Sequence, residues 1–160
     1  MSAIEERILT FLNAAGVEYE VREHPPVYTC PKMAEYLGTD ENLIAKSMMI
    51  KKNSGGYFLA VLPGRMKIDF ESLAKVVKCL SVSLAPMDEA EKIAGCPVGC
   101  VHPFGNLMNV DTYFDEKMLQ NEYVYFNPGS HTKSVRIKTR ELTRLIEPTV
   151  AGFSKSSGTN

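Results

Sequence analysis

Hydrophobic and polar positions in the first forty residues change period twice. Ile4, Ile8, Leu9 and Leu12 recur at helical spacing behind Ser2, and apolar residues three and four apart make one face of a helix. Ser2 and Glu5 form a capping box, in which the hydroxyl caps the Glu5 amide and the carboxylate reaches back. Gly16 closes this helix. Val17, Tyr19 and Val21 then alternate with Glu18, Glu20 and Arg22, the period of a half-buried strand. His24-Pro25-Pro26 stops it, because proline has no N–H to give a ladder. A second helix has Thr29 as N-cap and Pro31 in its first turn. Met33, Ala34 and Leu37 face inward, and Gly38 follows its last turn.

Two strand-like runs, 44–51 and 57–62, are joined through Asn53-Ser54-Gly55-Gly56, a hairpin signal. Asp69 caps a helix carrying Leu73, Val76 and Val77. A short strand over 80–84 and a helix over 86–94, ended by Gly95, come next. Beyond residue 105 the pattern predicts a strand at 107–110, a short helix at 115–119 and strands at 122–126 and 134–138. A last helix over 139–146 turns Leu142, Leu145 and Ile146 inward and is stopped by Pro148. Strands and helices intermingle without a regular βαβ repeat, so the class is α+β with a mixed sheet flanked by helices.

The 160 residues fit one domain, expected over residues 1–148. Residues 149–160, rich in Ser, Gly and Lys from residue 152, are expected to be a disordered tail. A net charge of −1 carries no global nucleic-acid signature, though it leaves room for a local basic patch. No apolar run approaches the roughly 18–20 residues that span a bilayer, and the N-terminus lacks the order of a signal peptide. Four cysteines are too few for a disulfide scaffold and point to a reducing cytoplasm.

Residues 95–105 are the densest knot of unusual composition: three glycines, two prolines, two cysteines and a histidine. Such a loop is a tight connector or a place where backbone approaches a ligand. Cys96-x3-Cys100-x-His102 fits zinc templates only loosely, and no second Cys/His pair lies nearby in sequence. Cys100 as a nucleophile, with His102 or His131 as base, requires the two to meet in space. Lys46 shares a strand face with Ile44 and Met48, where a lysine is costly unless its ammonium reaches water, an anion or a cleft. A snorkelling lysine at a sheet margin satisfies the same pattern. His131 lies in a turn that presents side chains outward. Basic residues gather at Lys46, Lys51, Lys52 and Lys67 and again from Lys133 through Arg136, Lys138 and Arg140 to Arg144. They make either a solvated surface or a phosphate footprint. Neither a phosphate loop nor a dinucleotide fingerprint is present.

The order of Ala45-Lys46-Ser47, then Gly95-x3-Gly99-x3-Pro103-Phe104-Gly105, then Pro128-Gly129-Ser130-His131 resembles YbaK-like proteins and the editing domain of bacterial prolyl-tRNA synthetases. The segment His24-Pro25-Pro26-Val27-Tyr28-Thr29 is similar to that family as well. The resemblance runs from about Ile4 to Ile146. It implies a mixed, partly barrel-like sheet and deacylation of mischarged aminoacyl-tRNA in trans, as a freestanding hydrolase without cofactor or metal. Lys46 and Gly99 match the family's catalytic positions. Substrate contacts are implied for Tyr28, Ser47, the run His102, Pro103, Phe104 and Gly105, and the turn Gly129, Ser130 and His131. Cys96, Cys100 and His102 have no counterpart in the motif itself. The implied partner is mischarged tRNA, with a synthetase as a second partner and neither DNA nor a membrane. A non-catalytic binding module on the same fold, and a thiol- or metal-dependent hydrolase centred on Cys96, Cys100 and His102, are the competing readings.

Overall fold

The computed structural model describes residues 2–156. Helix α1 (Ala3–Ala15) starts where Ser2 Oγ accepts from the Glu5 amide at 3.2 Å. The reciprocal half of the expected capping box is not made. Glu5 is buried and its carboxylate takes the Lys133 ammonium at 2.6 Å instead. Strand β1 (Tyr19–Glu23) leads to α2 (Cys30–Leu37), capped by the Thr29 hydroxyl. The hairpin of β2 (Ala45–Lys52) and β3 (Tyr57–Pro63) follows, then β4 (Lys67–Ile68), α3 (Phe70–Val76), β5 (Val82–Leu84) and α4 (Met87–Ala94). The second half holds β6 (Asp111–Asp115), β7 (Tyr123–Phe126), β8 (Lys133–Lys138), α5 (Thr139–Ile146), β9 (Thr149–Ala151) and β10 (Ser154–Lys155). The strand expected at 107–110 begins at Asp111. A 3-10 turn at Gly105–Leu107 uses up the preceding residues.

The strands form a five-stranded sheet in the order β5-β2-β3-β6-β9, a three-stranded sheet β1-β8-β7 and a two-stranded piece β10-β4. β3 pairs antiparallel with β2 and parallel with β6, so the large sheet is mixed. A single bridge from Ile44 to Tyr125 brings β7 against the start of β2. This contact curls the two sheets toward each other without closing a barrel. β3 is buried on both faces, which explains why the run from Phe58 to Leu62 is continuously apolar. One core packs Met49, Leu59 and Val61 against α1, Phe104 and Phe126. The other packs Ile50, Phe58 and Leu62 against α3 and Phe153.

The expectation of a disordered tail over 149–160 is corrected through Lys155. β9 pairs parallel with β6 and β10 antiparallel with β4, and Phe153 is 1% exposed. The anchor is Asp115, itself buried, whose carboxylate accepts from the Phe153 and Ser154 amides and the Ser154 hydroxyl at 2.9, 3.0 and 2.8 Å. Residues 157–160 of that expected tail lie outside the described residues. Phe153→Ala should lower unfolding free energy by about 3–5 kcal/mol in a urea titration. A loss below about 1 kcal/mol would mean that the ring is not a core side chain.

Candidate active site

The end of β2 nearest α2 opens onto a cavity of about 470 Å³. Its wall is mostly apolar, with Met33, Met48, Met49, Met87, Ala90 and Val101 among the lining residues. Methionine is unbranched and adapts to irregular shapes. The polar exceptions include Lys46 and Ser47 on β2 and Asn127 after β7.

Lys46 extends to the cavity's margin and donates one hydrogen bond to the Met66 carbonyl at 2.6 Å. An ammonium carries three donors. Burial lowers its pKa from the usual lysine value, with nearby Glu41 acting in the opposite direction. An amine so placed gains from meeting an anionic or electron-rich ligand atom.

Gly99 lines the cavity from the loop after α4. Its φ of +97° is open to glycine and strained for residues with a Cβ. A Cβ here would stand 3.7 Å from His131 Cε1 and 3.6 Å from the Tyr28 carbonyl, so loop, turn and Tyr28 segment meet at this point. His131 is held from two sides. Its carbonyl accepts from the Val27 amide at 2.9 Å, and its Nδ1 lies 3.0 Å from the Val27 carbonyl. A carbonyl only accepts, so Nδ1 donates in this contact and Nε2 is the ring nitrogen left open. The Tyr28 ring, two-thirds exposed, lies 4.3 Å from the His131 ring.

The turn carrying His131 is itself built by Asn127, whose Oδ1 accepts from the Gly129 and Ser130 amides at 3.0 and 2.7 Å. Gly129, at φ +90°, packs against Ile4 so closely that a Cβ would overlap the isoleucine. Of this turn only Asn127 lines the cavity; Gly129, Ser130 and His131 stand beside it, with His131 reaching the Gly99 loop and the Tyr28 segment at the mouth.

A model of the aminoacyl-tRNA editing domain matches residues 24–145. The chain belongs to this family. It is 27% identical over 160 residues to the multifunctional Ser/Thr-tRNA deacylase ProXp-y of Escherichia coli (strain K12), covering 98% of this chain and 96% of that protein. The prolyl-tRNA editing protein ProX of Acetoanaerobium sticklandii is 24% identical over 148 residues, covering 89% and 90%. In three dimensions the crystal structure of hypothetical protein APE2540 superposes with a TM-score of 0.87 at 26% identity, covering 93% of this chain and 99% of that one. The editing-domain match begins at His24, so α1 and all of β1 lie before it. They nevertheless brace the site, through Glu5 on Lys133 and Ile4 on Gly129.

Within the editing domain, four expected substrate contacts turn inward. His102, Pro103, Phe104 and Gly105 are all buried behind the cavity. Phe104 packs edge-on against Phe11 and Phe126, and Gly105 leaves no room for a Cβ beside Thr112. The chain dives into the core right after Val101, because Phe104 gains more from burial than a loop can offer. Cys96 and Cys100 are core side chains too, joined by a thiol-to-carbonyl bond at 3.5 Å. Burial pushes their pKa values to about 11 and about 12. The thiolate is the reactive form, so neither is a nucleophile at neutral pH. Cys30, by contrast, lines the cavity, and burial raises it to about 11. Sequence reasoning gave no part in the site to Cys30, Asn127 or Glu5. Of these only Asn127 carried a legible signal, since Asn before Pro-Gly is a side-chain-capped turn.

His102 Nδ1 accepts from the Phe104 amide at 3.1 Å, which leaves the proton on Nε2. Burial, with Arg7 nearby, lowers its pKa to about 4. The unfolded histidine binds a proton near pH 6.5 and the folded one only near pH 4. Stability is therefore complete above about pH 6.5 and is lost progressively as pH falls toward 4, by on the order of 3 kcal/mol. His102→Asn, which keeps an acceptor for Phe104, should flatten the fall in unfolding free energy between pH 6.5 and 4. An unchanged pH profile would show that His102 is not the group responsible.

Proposed function

We propose that this protein hydrolyses the ester bond of mischarged aminoacyl-tRNA in trans. The observation that carries the reading is the convergence of Lys46, the Gly99 loop and Asn127 of the His131 turn around one mostly apolar cavity. Membership of the editing-domain family and near full-length similarity to a named deacylase support it.

An aminoacyl ester is already activated, so no protein nucleophile is required. Holding a water or the neighbouring ribose hydroxyl against the carbonyl lowers the barrier by proximity alone. The His131 Nε2 lone pair is the site's candidate proton acceptor, and main-chain amides of the Gly99 loop receive the charge that develops on the carbonyl oxygen. Lys46 binds the terminal phosphate or polarises the ester. The methionine-lined cavity takes the amino-acid side chain, and its adaptable wall suits more than one small residue. One methylene there is worth only about 1–3 kcal/mol of discrimination.

At the mouth, exposed Tyr28 offers a face on which the terminal base can stack. Arg136 and Lys138 alternate outward on β8, leading away from the His131 turn, while Val135 and Ile137 face the core. Arg136 lies 3.7 Å over the Tyr123 ring. This outward face suits the acceptor-stem phosphates.

A panel of mischarged tRNAs tests the proposal directly. At least one should be turned over, with kcat/KM falling roughly 100-fold or more in Lys46→Ala, the scale of losing one preorganised donor. Gly99→Ala, strained by about 1–3 kcal/mol at its positive φ, should also slow the reaction. Binding of tRNA without hydrolysis of any ester would leave a non-catalytic binding module. For the phosphate-binding face, Arg136→Ala should reduce the slope of log KM against log salt by about 1. An unchanged slope would remove Arg136 from the tRNA footprint.

A further inference from the structure

β2 is paired along its length on one side only. Its register with β3 runs from Ala45 to Lys51, whereas β5 pairs only with Ile50 to Lys52. In an antiparallel ladder the N–H and C=O of one residue point to the same neighbour, and successive residues alternate sides. Four bonds set the phase. Lys52 donates to the Gly56 carbonyl and Gly64 to that of Ile44, both on the β3 side. Asn53 donates to the Ser81 carbonyl and Ala85 to that of Met49, both on the β5 side.

Odd-numbered residues of β2 therefore direct their backbone groups away from β3, and Ser47 is one of them. β5 has ended by then, its last contact being the Ala85 bond to Met49. On the other flank β7 meets the strand only at Ile44. The Ser47 N–H and C=O thus look into the cavity, in a notch between Ala85 and Asn127. Main-chain groups in an apolar cleft are costly unless paired, and open strand edges are where extended ligands add on.

We propose that the Ser47 main chain is the docking strip for the aminoacyl group. Its C=O accepts from the substrate's α-ammonium and its N–H donates to the ester carbonyl oxygen. One α-amino ester carries one such donor and acceptor, the pair that a facing residue would present in an antiparallel ladder. The open stretch is short, lying between the Met49 carbonyl that Ala85 caps and the bridge at Ile44, so it reads the common part of every α-aminoacyl ester and leaves the side chain to the methionine wall. The substrate class is then esters with a free α-ammonium. Acyl groups whose nitrogen is blocked or replaced are excluded, whatever their side chain. This inference rests on the deacylase reading above.

The test compares the best aminoacyl-tRNA of the panel with its α-hydroxyacyl counterpart, which has the same size but no ammonium. The N-acetylated form serves as a third substrate. Each rate is divided by the spontaneous hydrolysis of the same ester, because the ammonium itself activates the carbonyl. Loss of a charge-assisted hydrogen bond predicts a fall of roughly 10- to 100-fold for both altered esters. A fall of less than 10-fold for the hydroxyacyl ester overturns the docking strip and leaves the deacylase reading standing. Hydrolysis of no ester at all overturns the deacylase reading, and the docking strip falls with it.

Discussion

The unequal pairing of β2 is the constraint from which the site follows. On one side β3 bonds it through the whole hairpin, and on the other β5 covers only its far end. A central strand that loses a neighbour partway exposes backbone to whatever fills the gap. Here the gap is roofed by the Gly99 loop, Tyr28 and the turn after β7, which together make it a cavity. Because β2 and β3 pack against a core on each face, the strand that forms the floor cannot shift without disturbing both. Interiors packed to crystal density transmit such strain and resist it. Lys46 and Ser47 occupy successive positions on that rigid floor, so amine and open edge keep a fixed relation.

The opposite wall is held by longer-range ties. Asn127 closes its own turn, Val27 clasps His131 by two bonds, and α1 braces the base of the turn through Glu5 and Ile4. Glu5, itself buried, pairs with the half-buried Lys133. Such pairs add little net stability over an apolar contact but cost much when one partner is removed. What the pair contributes here is position, since Lys133 follows the His131 turn by two residues. The surrounding chemistry is kept quiet. Burial holds Cys30, Cys96 and Cys100 as thiols and His102 as a neutral ring. Among the described residues that line the cavity, Lys46 alone is basic. The proposed deacylation fits this arrangement, because an ester needs positioning and charge stabilisation more than it needs a strong nucleophile.

Much of the fold was legible from local pattern. Ser2, Thr29 and Asp69 cap their helices as their residue types require, and the Asn53-to-Gly56 turn joins two strands whose pattern marked them. The mixed, partly curled sheet and the family were also readable, because motif order is a property of the chain. Lys46 and Gly99 line one cavity, and His131 lies against Gly99 at its mouth. The misses share one cause. Asp115 and Phe153 are 38 residues apart and Glu5 and Lys133 are 128 apart, so no window of sequence could join them.

By itself, then, the sequence determined most of the helices and strands up to residue 146, which residues carry the editing motif and that a lysine would stand on an otherwise apolar strand face. Those follow from interactions within a few residues, where spacing fixes geometry. Only the tertiary structure decided that residues 102–105 support the cavity from behind, that the C-terminal segment through Lys155 is a working part of the sheet and that the backbone of Ser47 faces an open edge. Each of these depends on where a distant strand stops or a distant side chain packs. A chain read one residue at a time cannot show whether the place beside it is filled.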